Sequence, residues 1–157
     1  MALRQFFSIK VAKSDIVIDA GANIGQFTDY LCKSGATVYS FEPNPFAFEV
    51  LKDKFAKTPN VHCLPNAISD DSGMMKLYFH QNSDQDELHY STGSSLLSVK
   101  KNILTDKYIN VEVIDICAFI SSLNQRIRIL KMDIEGEECK VLKKIFETQI
   151  FDIIFFY

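Results

Sequence analysis

The chain has 157 residues, 47% hydrophobic and 24% charged, with a net charge of −3, the balance of a single globular domain. No basic excess argues for a nucleic-acid partner, and no apolar run is long enough to cross a bilayer, so neither nucleic acid nor membrane is expected. The opening MALRQFFSIKVAKSD lacks a signal-peptide pattern, and Cys32, Cys63, Cys117 and Cys139 show no paired spacing; a cytoplasmic protein with reduced thiols is expected.

Two kinds of segment alternate after an N-terminal arm (1–14). Short β-branched runs predict strands at DIVIDA (15–20), ATVYSFE (36–42), NVHCLPNAIS (60–69), IRILKMDI (127–134) and FDIIFFY (151–157). Helical spacing appears over 25–34 (Phe27, Tyr30, Leu31), 45–57 (Phe48, Leu51, Phe55) and 136–149 (Cys139, Leu142, Ile145, Phe146). Strand–helix repetition with near-continuously apolar strands predicts an α/β fold, a mostly parallel sheet covered by helices on both faces. The middle, 71–116, breaks the pattern: MMKLYFH (74–80) and VEVIDI (111–116) read as strands around a polar, Ser-rich insert at about 81–110. Four parts result: the arm, a core over 15–70, the insert region, and 117–157 with two further strands around a helix. The chain closes on an apolar strand, which predicts missing neighbours or, secondarily, an edge for a second copy of the chain.

The loop DAGANIG, Asp19 to Gly25, leaves the first strand and enters the first helix. In open parallel sheets, ligands bind beyond the carboxyl ends of the strands, where strand order reverses. Glycines suit a tight turn and close backbone approach at Gly21 and Gly25. Their spacing does not match the first, third and sixth glycines of a dinucleotide loop, and no Gly-Lys-Ser/Thr follows for a phosphate loop. A carboxylate beside the loop repels phosphate and attracts a cation, which suits S-adenosylmethionine with its ammonium and sulfonium. Glu42 ends the second predicted strand, about twenty residues on, where a carboxylate accepts hydrogen bonds from ribose hydroxyls. Asn44, between Pro43 and Pro45, is placed to cap the next helix. Asn66, Ala67 and Asp70 end the third predicted strand and are placed to flank an adenine; Asp133 and Glu135 end the fourth.

The runs VIDAGANIGQFT, VYSFEPNPFAFEVLK, NAISDDSG and ILKMDIEGEECKVLK, in this order, closely resemble the FkbM family of S-adenosylmethionine-dependent methyltransferases. The resemblance implies a Rossmann-like three-layer sandwich of class I, with its last strands missing here, and methylation of hydroxyls on sugars or natural products. It implies cofactor positions at Asp19, Gly21, Ala22, Asn23, Gly25, Glu42, Asn66 and Ala67, with Ser94 and Ser95 matching a further family segment.

An alcohol acceptor must lose its proton as it attacks, so a general base is expected. Asp133 is the first candidate and Glu135 the second; Asp133 equally suits a role supporting the cofactor or the glycine loop. Mg²⁺ on Asp133, Glu135 and a third oxygen is a lesser alternative. Glu137 and Glu138 read as favourable partners of a helix dipole. His62 reads as a core or edge residue, and His80 and His89 as solvated loop residues. Tyr78, Phe79 and Tyr90 either line an acceptor pocket or pack the insert on the sheet. A non-catalytic cofactor-binding module and a nicotinamide-dependent oxidoreductase are the competing classes.

Overall fold

The computed structural model describes residues 10–80, 103–134, 136–150 and 154–156. Strands β1 (Ile16–Ala20), β2 (Thr37–Phe41) and β3 (Val61–Leu64) alternate with helices α1 (Gln26–Cys32) and α2 (Pro45–Phe55). Then come β4 (Ala67–Ser69), β5 (Gly73–His80), β6 (Ile103–Asp115), α3 (Ile116–Leu123), β7 (Ile127–Met132), α4 (Glu138–Glu147) and β8 (Ile154–Phe156). Five strands form one sheet in the order β3-β2-β1-β7-β8, all parallel. A second sheet has the order β4-β6-β5, with β4 parallel and β5 antiparallel to β6.

Strand β1 explains the layering. Every one of its residues is buried, because alternate side chains enter two different cores. Ile16, Ile18 and Ala20 join Leu130 and Met132 of β7 against Ile116 and Ile120 of α3 and Val141 and Ile145 of α4. Val17 joins Val38 and Ile129 against Leu31 of α1 and Leu51 and Phe55 of α2. The result is the expected sandwich of helices, mostly parallel sheet and helices. The chain winds outward from β1 to β3 and returns through the second sheet to place β7 on the other side of β1. Strand order therefore reverses between β1 and β7, and the crevice beyond their carboxyl ends is the natural ligand position.

Three elements differ from their sequence reading. The run 60–69 is two strands in two sheets, since Pro65 lacks the N–H that a continuous ladder needs. Strand β6 starts at Ile103, eight residues before VEVIDI and inside the segment read as unpatterned. Its ladder with β5 has a register irregularity between Tyr78 and His80, so no single alternation runs through it. Helix α3 was not anticipated. Asp115 caps it, its carboxylate accepting from the amides of Cys117 and Ala118 at 2.8 and 3.1 Å.

Candidate functional site at the carboxyl edge

The turn after β1 is built by three successive left-handed residues two apart: Gly21 (φ 75°), Asn23 (φ 49°) and Gly25 (φ 74°). Its amides turn inward. Gly21 and Ala22 donate to the Phe41 carbonyl at 3.0 and 2.9 Å, Asn23 donates to Glu42 Oε2 at 2.8 Å, and Gly25 donates to the Ala22 carbonyl at 2.8 Å. The Ile24 amide donates to the Asn23 side-chain oxygen at 2.8 Å. All five amides are thus satisfied within the protein, and none is left to cradle a phosphate.

Packing gives each glycine its own reason. A Cβ on Gly21 would lie 1.9 Å from the Asp133 carbonyl oxygen, so the loop rests directly on the backbone at the end of β7. A Cβ on Gly25 would meet Phe55 at 2.5 Å and Leu51 at 2.6 Å, so this glycine lets α1 start against α2. Both are therefore demanded by the protein's own backbone and core.

Asp19 lies fully buried behind the loop. Its Oδ2 accepts from the Thr28 hydroxyl at 2.7 Å, and that hydroxyl is 2.8 Å from Ser40 Oγ. Its Oδ1 accepts no hydrogen bond among the described residues but faces the Lys131 ammonium at 3.1 Å. Lys131 also donates to the Gly21 carbonyl at 2.6 Å and approaches the Ala20 carbonyl at 3.4 Å. This lysine joins β7, the buried carboxylate and the glycine loop into one unit. Asp19 consequently acts on the rim through the loop that it supports.

Glu42, by contrast, stands at the rim end of β2. Its Oε2 holds the Asn23 amide and its Oε1 the Asn44 amide, each at 2.8 Å. Asn44 then caps α2 through the Phe46 amide at 3.0 Å, with Pro45 at the first turn as expected. Each carboxylate oxygen keeps a second lone pair for a ligand hydroxyl. Burial pushes the Glu42 carboxyl up to about 7, against the pull of the two backbone amides and of Lys131. A raised carboxyl binds its proton more tightly folded than unfolded, so its stabilising contribution is complete below about pH 4.5 and is lost as pH rises through 7. That loss is about 3 kcal/mol. A ligand that donates hydroxyls to Glu42 has the opposite pH dependence. Its affinity should fall up to about tenfold per pH unit below 7 and level off above it, which calorimetric titration at pH 6, 7 and 8 would show.

The remaining rim residues occupy the ends of β3, β4 and β7. Asn66 is nearly buried and donates to Glu112 Oε2 at 3.0 Å, and Ala67 is buried as the first residue of β4. Asp133 is exposed; its amide donates to the Ala20 carbonyl at 3.0 Å, and among the described residues its carboxylate has no partner. Glu135, Ser94 and Ser95 lie outside the described residues. No group of three metal-ligating side chains comes together among the described residues. His62, on the edge strand β3, stacks on Tyr39 with ring centroids 4.9 Å apart.

Glu137 and Glu138 do more than face a helix dipole. Glu137 is fully buried, accepting from the Ser69 hydroxyl of β4 and pairing with Lys140 at 2.8 Å. Glu138 accepts from the amides of Ile134 and Gly136 at 3.0 and 2.9 Å and so holds the turn that follows Asp133. Lys131, Thr28 and Ser40 were not singled out from the sequence. A lysine in β7 directly opposite an aspartate in β1, both in the middle of the sheet, is the signal that marks this pair.

Known proteins are similar to this chain in sequence and in fold. The model of the methyltransferase FkbM domain matches residues 19–156, spanning the glycine loop, Glu42, Asn66 and Asp133. The hexuronic acid methyltransferase AglP of Haloferax volcanii is 23% identical over 132 residues, covering 83% of this chain and 50% of that protein. The 31-O-demethyl-FK506 methyltransferase FkbM of Streptomyces tacrolimicus is 32% identical over 75 residues, covering 46% and 29%. The chain thus spans half or less of the length of these curated relatives. The crystal structure of a methyltransferase FkbM from Methylobacillus flagellatus has the same fold, with a TM-score of 0.57 at 17% identity over 90% of this chain and 31% of that one. Among the described residues, no helix is long and apolar enough to cross a membrane. With the family model covering the whole glycine loop, rim and β7 turn, the chain belongs to the FkbM methyltransferase family.

Proposed function

We propose that this chain binds S-adenosylmethionine at the carboxyl edge and directs its methyl group to a hydroxyl of a sugar or other small molecule. The observation that carries the reading is the inward turn of the loop amides from Gly21 to Gly25, together with Glu42 at the neighbouring strand end. A pyrophosphate finds no free amide in such a turn, whereas a nucleoside finds a carboxylate for its ribose. Family membership supports methyl transfer in general. The names of the two curated relatives, one for hexuronic acid and one for 31-O-demethyl-FK506, support an oxygen acceptor.

The residues present fit the cofactor in distinct ways. Glu42 would take the ribose hydroxyls, while Asn66 and Ala67, at the neighbouring strand ends, would border the base. Asp19, Thr28 and Lys131 hold the loop from behind. When bound, the cofactor supplies a methyl on a positively charged sulfur that leaves as a neutral thioether, so alignment and removal of the acceptor's proton are the tasks left to the protein.

Asp133 is placed for the second task. It is exposed beside Gly21, its turn is fixed by Glu138, and its carboxylate is unengaged among the described residues. The proton of the acceptor hydroxyl passes to an Asp133 oxygen as the oxygen–methyl bond forms. Asp133→Asn should therefore lower the methyl-transfer rate by about 100- to 10,000-fold. Its affinity for S-adenosylmethionine should change little. A rate within a few-fold of the unmodified protein would remove Asp133 from this role.

A further inference from the structure

Strands β5 and β6 form an antiparallel ribbon with two unlike faces. Met75, Leu77, Ile109 and Val111 pack inward with Ala67 of β4. The other face carries Met74, Lys76 and Tyr78 on β5, and Tyr108, Asn110 and Glu112 on β6, with the exposed Met74 opposite Glu112. Register pairs Tyr78 with Tyr108 and Lys76 with Asn110. The two tyrosine rings meet with centroids 5.8 Å apart and tilted by 57°, and the Lys76 ammonium lies 4.0 Å from the centre of the Tyr108 ring. Tyr108 remains 41% exposed. Among the described residues, no carboxylate pairs with Lys76.

The position of this face matters as much as its chemistry. Glu112 accepts from the Asn66 side chain at 3.0 Å, and Asn66 follows the carboxyl end of β3, where the Leu64 carbonyl takes the Glu42 amide. Strand β4 begins at Ala67 opposite Val113 and runs parallel to β6. Residues 108–112 of β6 therefore lie ahead of the start of β4, on the Asn66 side, continuous with the rim of the site.

Resting on the methyltransferase reading above, we infer that this outer face is the acceptor subsite and that it takes a pyranose bearing a carboxylate, a uronic acid. A pyranose presents apolar C–H surface between hydroxyls, which aromatic rings with polar tips accommodate. Asn110 and Glu112 supply hydrogen-bonding groups for those hydroxyls. Lys76 supplies the positive charge that a neutral sugar would leave unmatched. Lys76 and Glu112 sit diagonally across the ribbon, and this polarity orients the sugar with its carboxylate toward Lys76 and its hydroxyls toward Glu112 and the rim.

Binding of methyl β-glucuronide and methyl β-glucoside to the full chain, followed by saturation-transfer NMR, tests this without requiring turnover. The glucuronide should bind about three- to fivefold more tightly. Lys76→Met should bring it level with the glucoside, and Tyr108→Leu, which keeps an apolar residue on the ribbon, should weaken both. Both variants should keep their melting temperature and their affinity for S-adenosylmethionine. Absence of saccharide binding, equal binding of the two glycosides, or variants indistinguishable from the unmodified chain would overturn the assignment. Glucuronide binding that persists and responds to both variants, in a chain that does not bind S-adenosylmethionine, would sustain the platform while refuting the methyl-donor reading.

Discussion

A Gly21→Ala variant should lose about 3 kcal/mol or more of unfolding free energy, and its glycine loop should separate from the end of β7. Two costs add. At φ 75° an alanine enters the left-handed region, at about 1–2 kcal/mol. Its Cβ would also stand 1.9 Å from the Asp133 carbonyl oxygen and 2.8 Å from the carbonyl carbon. Those are backbone atoms, held by the Asp133 amide on the Ala20 carbonyl at 3.0 Å, so no side chain can swing aside. Gly35 provides the comparison, since it has φ 80° but the nearest atoms to a Cβ there belong to the flexible Lys13 side chain, at 3.3 Å and beyond. Urea unfolding of both variants should show Gly21→Ala losing clearly more than Gly35→Ala. Equal losses would mean that the contact with Asp133 does not constrain the loop.

Lys131→Met should cost about 3–5 kcal/mol, the range for removing one partner from a buried ion pair. Asp19 would keep Thr28 at 2.7 Å but lose the only cation facing its Oδ1 among the described residues, at 3.1 Å. The Gly21 carbonyl would lose its 2.6 Å donor at the same time. Replacing the charge on both sides, as Asp19→Asn with Lys131→Met, should recover part of the loss, because no uncompensated charge then remains buried. Urea unfolding of the two single variants and the double variant gives the coupling directly, and strict additivity would contradict the pairing.

The strands that position the site were legible because they are buried on both sides. DIVIDA, ATVYSFE and IRILKMDI read as near-continuous apolar runs, and they became β1, β2 and β7 at the centre of the sheet. Helix α2 was equally legible from Asn44, Pro45 and its apolar stripe. Helix α3 escaped because ICAFISSL is apolar nearly all round and follows directly on an alternating strand, so only the Asp115 cap marks the change of period. At the site, the sequence located the strand-end carboxylates but not their orientation. Asp19 and Glu42 look alike as acidic residues near strand ends. One turns inward onto Thr28 and Lys131, and the other holds two amides at the rim. That difference depends on partners 9, 19 and 112 positions away, which no local pattern reports.

Calorimetric titration with S-adenosylmethionine, alongside NAD, tests the central claim most directly. Saturable one-to-one binding of S-adenosylmethionine with no heat from NAD is the expected result, since Glu42 is available to a ribose while the amides from Gly21 to Gly25 are closed to a pyrophosphate. Binding of NAD without binding of S-adenosylmethionine would contradict the account.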